Sequence, residues 1–221
     1  MSVESTLPDW YPEGVVYDPT IAPDAYGPAN ARTLQCFSEL STSSNIVDVA
    51  GGYGRYAVPL AEAGYTVTLL DIDEAHLDQA ELNALSLPEG AGSIKPIKRD
   101  VLKDDLSDFE PFDASLCTGF IYLAPEDVVQ DLFAKMVSLT KPGGPVVIEF
   151  ATDRIRRQTS DATSKSLIGR NETLYSYEQG LDLLRSLYKM IGGAVFSRSS
   201  VRLNQPYYLR STVITAKGYA L

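Results

Sequence analysis

The stretch Ile46-Val47-Asp48-Val49-Ala50-Gly51-Gly52-Tyr53-Gly54-Arg55-Tyr56-Ala57 limits what this chain can fold into more than any other. Its apolar run from Ile46 to Ala50 suits a strand covered on both faces, and the glycines that follow let a ligand approach the main chain. A helix begins next, and its N-terminal amides point at the same spot, which suits the polar or anionic part of a nucleotide-like ligand. Gly52 to Ala57 also fits the GxGxx(G/A) pattern of dinucleotide binding, a weak signal alone. Asp48 speaks against that reading, because a carboxylate beside the turn opposes a pyrophosphate and welcomes a cation or an ammonium.

The second apolar run, Tyr65 to Asp71, ends in a carboxylate about 20 residues past the glycines, the spacing at which an acid reaches two ribose hydroxyls. Asp73 and Glu74 then open a helix, where acids suit the dipole, and His76 in its first turn reads as a surface residue. Ile94 to Val101 is a third strand and Phe112 to Gly119 a fourth. Pro125 to Thr140 is an amphipathic helix with proline at its start, followed by the Lys141-Pro142-Gly143-Gly144 turn and a fifth strand, Val146 to Phe150. Tyr177 to Ile191 is a further helix. Two β-like runs, Ala194 to Leu203 and Leu209 to Lys217, close the chain, and their short connector makes them antiparallel. Ahead of all this, Asn30 to Leu40 has helical spacing of Leu34, Phe37 and Leu40. Residues 1–28 carry five prolines and four large aromatics, including Tyr17 and Tyr26, and read as an irregular arm.

Nothing in the composition divides the 221 residues, so a single domain is expected over 1–221: an arm and cap helix (1–44), a cofactor-binding half (45–150), a lid insertion (151–176) and a C-terminal helix and hairpin (177–221). A formal net charge of −10 disfavours nucleic acid as a partner. The single histidine excludes a histidine-dependent triad or a multi-histidine metal centre, and Cys36 and Cys117 lack metal-ligand spacing, so they are expected as free thiols and no metal is expected. No run approaches the ~20 apolar residues of a membrane span and no secretory leader is evident, so a soluble cytoplasmic protein is expected.

The sequence Asp48-Val49-Ala50-Gly51-Gly52-Tyr53-Gly54 resembles the DxGxGxG motif of class I S-adenosylmethionine-dependent methyltransferases, with Ala50 where the first glycine usually stands. Arg99-Asp100-Val101 is similar to that family's acid and apolar pair for adenine, and Phe112-Asp113 to Gly119 to its FD strand. The KPGG turn and closing hairpin also resemble the family, in the right order from residue 46 to 217. The resemblance implies an α/β fold with a doubly wound, mostly parallel seven-stranded sheet of order 3-2-1-4-5-7-6, a terminal antiparallel hairpin and helices on both faces. It implies S-adenosylmethionine as cofactor, S-adenosylhomocysteine as product, and a cofactor site of Asp48, Ala50, Gly51, Gly52, Gly54, Asp71, Ile72, Asp100, Val101, Thr118 and Gly119.

Methyl transfer from a sulfonium needs a nucleophile held in line and no covalent enzyme intermediate. Tyr122, Glu149 and Tyr26 are candidate catalytic residues by position. The absence of an (N/D)PP(Y/F) motif, with the acidic balance, favours a small-molecule acceptor, taken at N or O. Arg154, Arg156, Arg157, Lys165 and Arg170 in the lid region either recognise an anionic acceptor or balance an acidic surface. Three rival functions stand beside this one, the least supported being a polyamine-synthase-like use of the cofactor as aminopropyl donor, which would ask for further acidic residues around a cationic acceptor. A nicotinamide-dependent oxidoreductase explains the glycines and Asp71 but not the KPGG turn or the hairpin, and a non-catalytic S-adenosylmethionine-binding protein would tolerate loss of Asp71 or Asp100.

Overall fold

A computed structural model describes residues 29–121, 124–156, 175–202 and 208–221. Five strands, β1 (Asn45–Val49), β2 (Thr66–Asp71), β3 (Ser93–Lys98), β4 (Ala114–Thr118) and β5 (Pro145–Arg156), run parallel. Two more, β6 (Val195–Arg202) and β7 (Tyr208–Tyr219), form an antiparallel pair, and β7 lies antiparallel to β5. The sheet order is 3-2-1-4-5-7-6, as the resemblance implies.

Successive residues of a strand face opposite sides, and β1 shows what this achieves. Ile46 packs with Phe37, Tyr56, Leu60, Leu116 and Val147 on one face, while Val47 and Val49 pack with Phe133, Met136, Ile148 and Tyr188 on the other. The first layer is covered by α1 (Ala31–Leu34), α2 (Ala57–Glu62) and α3 (Glu74–Leu85), the second by α4 (Glu126–Leu139) and α5 (Tyr177–Tyr188). The apolar stripe of α4 is Val129, Leu132, Phe133, Met136 and Leu139, the helical spacing that a single buried face requires. Helix α5 starts at a capping box, in which the Gln179 amide donates to Ser176 Oγ and the Ser176 amide to Gln179 Oε1.

Three boundaries differ from the expectation. The helix expected over Asn30–Leu40 is a single α-turn, Ala31–Leu34, followed by a 3₁₀ turn, Gln35–Phe37, because the Tyr65 hydroxyl takes the Phe37 carbonyl at 2.9 Å and draws the chain onto the sheet. Strand β3 stops at Lys98 rather than Val101, so Asp100 sits in a turn. Strand β5 runs on to Arg156, so the first six residues of the expected lid are sheet: β7 is long enough to pair with them, from Pro145↔Tyr219 to Arg156↔Tyr208, across a bulge after Thr152. The rest of that lid, 157–174, lies outside the described residues, as does the arm over 1–28.

Gly180 is where α5 touches β5 most closely, since an added Cβ would lie 2.7 Å from Thr152 Cγ2 and 2.9 Å from the Phe150 ring. Gly180→Ala should therefore lose about 1–3 kcal/mol to overpacking, outweighing the ~1 kcal/mol that alanine gains in a helix. A lower melting temperature in thermal unfolding is the expected outcome, and a higher one would show that this seam is looser than its distances.

Candidate functional site

Past β1 the chain turns with positive φ at Ala50 (54°), Gly52 (57°) and Gly54 (89°). Alanine in place of the motif's first glycine fits by size; its cost lies in the backbone, about 1 kcal/mol for a residue with a Cβ in the left-handed region. Gly51 is excluded from substitution for a different reason, because its Cβ would lie 2.7 Å from Leu69 Cγ and 2.9 Å from Asp48 Cγ. The turn is closed by amides of Gly54 to the Gly51 carbonyl (3.0 Å), Gly51 to the Leu70 carbonyl (3.2 Å) and Gly52 to Asp71 Oδ2 (2.8 Å). Asp71 Oδ1 accepts the Asp73 amide at 2.9 Å. Each carboxylate oxygen thus holds one backbone donor and keeps a further lone pair for a ligand.

A cleft of about 710 Å³ of open space lies at the carboxyl edge of β1 to β4. Of the eleven residues expected to hold a cofactor, Ala50, Gly52, Asp71, Ile72, Asp100, Val101, Thr118 and Gly119 line it. Asp48 lies behind the turn, buried to 1% exposure, and Gly51 and Gly54 are also set back from the cleft wall. Asp100 is held in place by accepting the Leu102 amide at 3.0 Å, while its own amide donates to Asp104 at 2.8 Å. Asp104 therefore shapes the loop that presents Asp100. Leu70, Phe120 and Leu132 add apolar wall.

The site's electrostatics centre on Asp48, Asp71 and His76. Neither oxygen of Asp48 has a hydrogen-bond partner among the described residues, and burial, then the charge of Asp71, push its carboxyl up to about 8. His76 was expected at the surface; instead it lines the cleft, with Nδ1 3.7 Å from Asp71 Oδ1 and 3.9 Å from Asp73 Oδ2. Burial pulls its pKa down, and the hydrogen bond and charge of Asp71, with the charge of Asp73, outweigh this, leaving it raised. Asp73 caps α3 as the sequence suggests, accepting the Ala75 amide at 2.9 Å. Among the described residues, no group of three or more His, Cys, Asp or Glu side chains could hold a metal, and no helix is long and apolar enough to cross a membrane.

Of the candidate catalytic residues, Tyr26 and Tyr122 lie outside the described residues. Glu149 sits on β5, 4% exposed, accepting the Tyr56 hydroxyl on Oε1 at 2.6 Å and the Thr33 hydroxyl on Oε2. Both its oxygens thus bind groups that join α1 and α2 to the sheet, and the cleft does not include it. Burial, then the nearby Glu149 charge, raise the Tyr56 phenol well above its ordinary value, so it stays a donor. Cys36 and Cys117 are free thiols.

The raised Asp48 has a stability consequence. Between an unfolded carboxylate's pKa of about 3.9 and the folded value of about 8, only the folded chain holds the proton, so Asp48's contribution is full below about pH 4 and is lost as pH rises toward 8. Asp48→Asn stays neutral throughout. Its stability relative to the parent should therefore grow between about pH 5 and pH 8, by at most about 1.4 kcal/mol per pH unit. Melting temperatures measured across that range check this; a constant difference would mean an ordinary Asp48.

A family profile described as "Methyltransferase domain" matches residues 46–144. No curated protein sequence matches the chain significantly. Among solved structures, a methyltransferase from Methanosarcina mazei described as S-adenosylmethionine-dependent superposes with a TM-score of 0.66 at 15% identity, covering 88% of this chain and 100% of that one. The glycopeptide N-methyltransferase MtfA, complexed with S-adenosylhomocysteine, gives 0.62 at 14% identity, covering 89% and 94%. The magnesium protoporphyrin IX methyltransferase of Synechocystis, with bound S-adenosylmethionine, gives 0.56 at 13% identity, covering 84% and 76%. The chain is thus similar to methyltransferases in two respects, the profile match over residues 46–144 and the fold it shares with these solved structures.

Proposed function

We propose that the cleft binds S-adenosylmethionine and that the chain transfers its methyl group to a small-molecule acceptor, at nitrogen or oxygen. The observation that carries this reading is the convergence of the glycine turn, Asp71 and Asp100 on one cleft at the carboxyl edge of the sheet. The residues fit such a ligand: Asp71 keeps lone pairs for two ribose hydroxyls, Asp100 offers an acceptor to an adenine amino group, and Leu70, Val101 and Leu132 offer apolar surface to a base. Two solved neighbours, MtfA and the protoporphyrin enzyme, are described with this cofactor or its product, which supports the same ligand here.

When bound, the cofactor supplies an already electrophilic methyl carbon. The chain's own work is then to position the donor, keep water out and admit an acceptor in the right protonation state. Thr118 and Gly119 end β4 on the cleft wall, and Gly119 is anchored by its amide to the Glu149 carbonyl at 3.0 Å. An amine acceptor need only arrive neutral, whereas a hydroxyl needs a base. Glu149 could take that role only by releasing Tyr56 or Thr33, so among the described residues the geometry favours an amine or an acceptor that brings no proton to be removed.

Calorimetry should show binding of S-adenosylhomocysteine, and Asp71→Asn should weaken it by about 1.5–3 kcal/mol, since a charged acceptor for the ribose is lost. Asn is preferred to Ala because it can still accept the Gly52 amide. Tight NADH binding with none of S-adenosylhomocysteine would replace the proposal with a dehydrogenase.

A further inference from the structure

We propose that His76 is part of the ribose subsite and acts there as a proton-operated competitor: its imidazolium pairs with Asp71, and a bound nucleoside's ribose displaces that pairing. The inference rests on the nucleoside reading above and adds to it a residue and a regulation that the fold does not require. His76 comes from the first turn of α3, while Asp71 ends β2, and the two meet across the mouth of the glycine turn. Its Nδ1 lies 3.7 Å from Asp71 Oδ1 and 3.9 Å from the position a Gly52 Cβ would occupy. The imidazole therefore borders the space beside Asp71 that a ribose must enter.

The carboxylate has little capacity to share. Oδ2 already accepts the Gly52 amide and Oδ1 the Asp73 amide, so two ribose hydroxyls would use what remains. An imidazolium drawn to Oδ1 across 3.7 Å and a ribose hydroxyl donating to the same oxygen compete for the one carboxylate. The charged groups around His76 decide which protonation state the free protein prefers. From β2 it faces Asp71, with Asp48 buried behind, and from the α3 cap it faces Asp73. The loop after β3 adds Arg99 and Asp100 to the same cleft. Arg99 is committed to Asp108 at 2.6 Å, and Asp100 lies 3.5 Å from Lys103. Further out on α3, Glu74 pairs with Lys98. The nearest charges are acidic, which favours the imidazolium when no ligand is present; its raised pKa has the same cause.

The linkage has one sign. If a ribose removes the imidazolium's partner, binding lowers the His76 pKa, and by reciprocity the ligand binds more weakly as pH falls through the free protein's value. A fall of one pKa unit on binding corresponds to about tenfold weaker binding on the acid side. Because the chain has one histidine, its imidazole ring protons give a single, unambiguous titration by NMR. The experiment titrates that resonance with and without saturating S-adenosylhomocysteine, alongside calorimetric affinities from about pH 5.5 to 8. The expected result is a pKa that drops on binding, an affinity that falls about tenfold per unit of that drop toward low pH, and a His76→Gln protein whose affinity is flat over the range. An unmoved pKa with flat wild-type affinity, while the ligand binds, overturns the role of His76 and leaves the cofactor reading standing. Absence of any binding overturns both.

Discussion

The Gly52 amide bonded to Asp71 Oδ2 is the contact on which the site depends. It joins residues 19 apart in sequence, and the parallel register of β1 and β2 makes the meeting unavoidable: Val49 lies opposite Leu70, so the next residue of β2 arrives beside the turn that follows β1. A charged acceptor gives a donor in a left-handed turn about twice the stabilisation of a neutral one. The same carboxylate also holds the Asp73 amide that leads into α3, so one side chain on the cleft wall sets both the turn and the entry to the next helix. Loss of its charge would weaken both backbone contacts at once.

A second buried carboxylate ties α1 and the start of α2 to the sheet. Glu149 is 4% exposed and would be costly if left alone, but the Tyr56 and Thr33 hydroxyls each bond one oxygen, and Thr33 also meets the Thr215 hydroxyl at 2.8 Å. Tyr56 in turn accepts the Asn30 amide at 3.0 Å. Since Tyr56 stands two residues past Gly54, the segment entering at Asn30 is tied to the end of the glycine turn through one phenol. At the sheet edge the ties are exposed ones, Lys217 and Tyr219 to Glu39, and such contacts add little. Orientation of α1 therefore rests on the buried network and on Phe37.

Much of this was legible in the residues. Strands covered on both faces read as unbroken apolar runs, and α4 shows its buried stripe at helical spacing, so element identity followed from pattern. The strand order was legible only through resemblance, because an apolar run carries no record of its neighbour. Ends were poorly legible wherever a distant partner sets them. Strand β5 extends to Arg156 because β7, some sixty residues on, supplies the edge, and α1 stops after a turn because Tyr65 takes a carbonyl. Glu149 looked like a site residue, an acid ending an apolar strand. What the sequence could not show is that Thr33, 116 residues away, and Tyr56, 93 away, supply its hydroxyls. His76 was misplaced for a related reason: the helix-start reading of Asp73 was sound, but it carries no information on which way the first turn faces.

The arrangement also changes what the motif's first acid means. Asp48 was read as a carboxylate that would welcome a cation, yet burial and Asp71 push its carboxyl up to about 8, so it keeps its proton at pH 7. The two acids differ in their partners: Asp71 accepts two backbone donors, Asp48 none among the described residues. Cys117, on the neighbouring strand β4, feels the same field, its thiol pushed up by burial first and then by Asp48 and Asp71. Burial beneath the glycine turn thus raises both Asp48 and Cys117, while Asp71, held by two backbone donors, is the strand-end acid that faces the cleft.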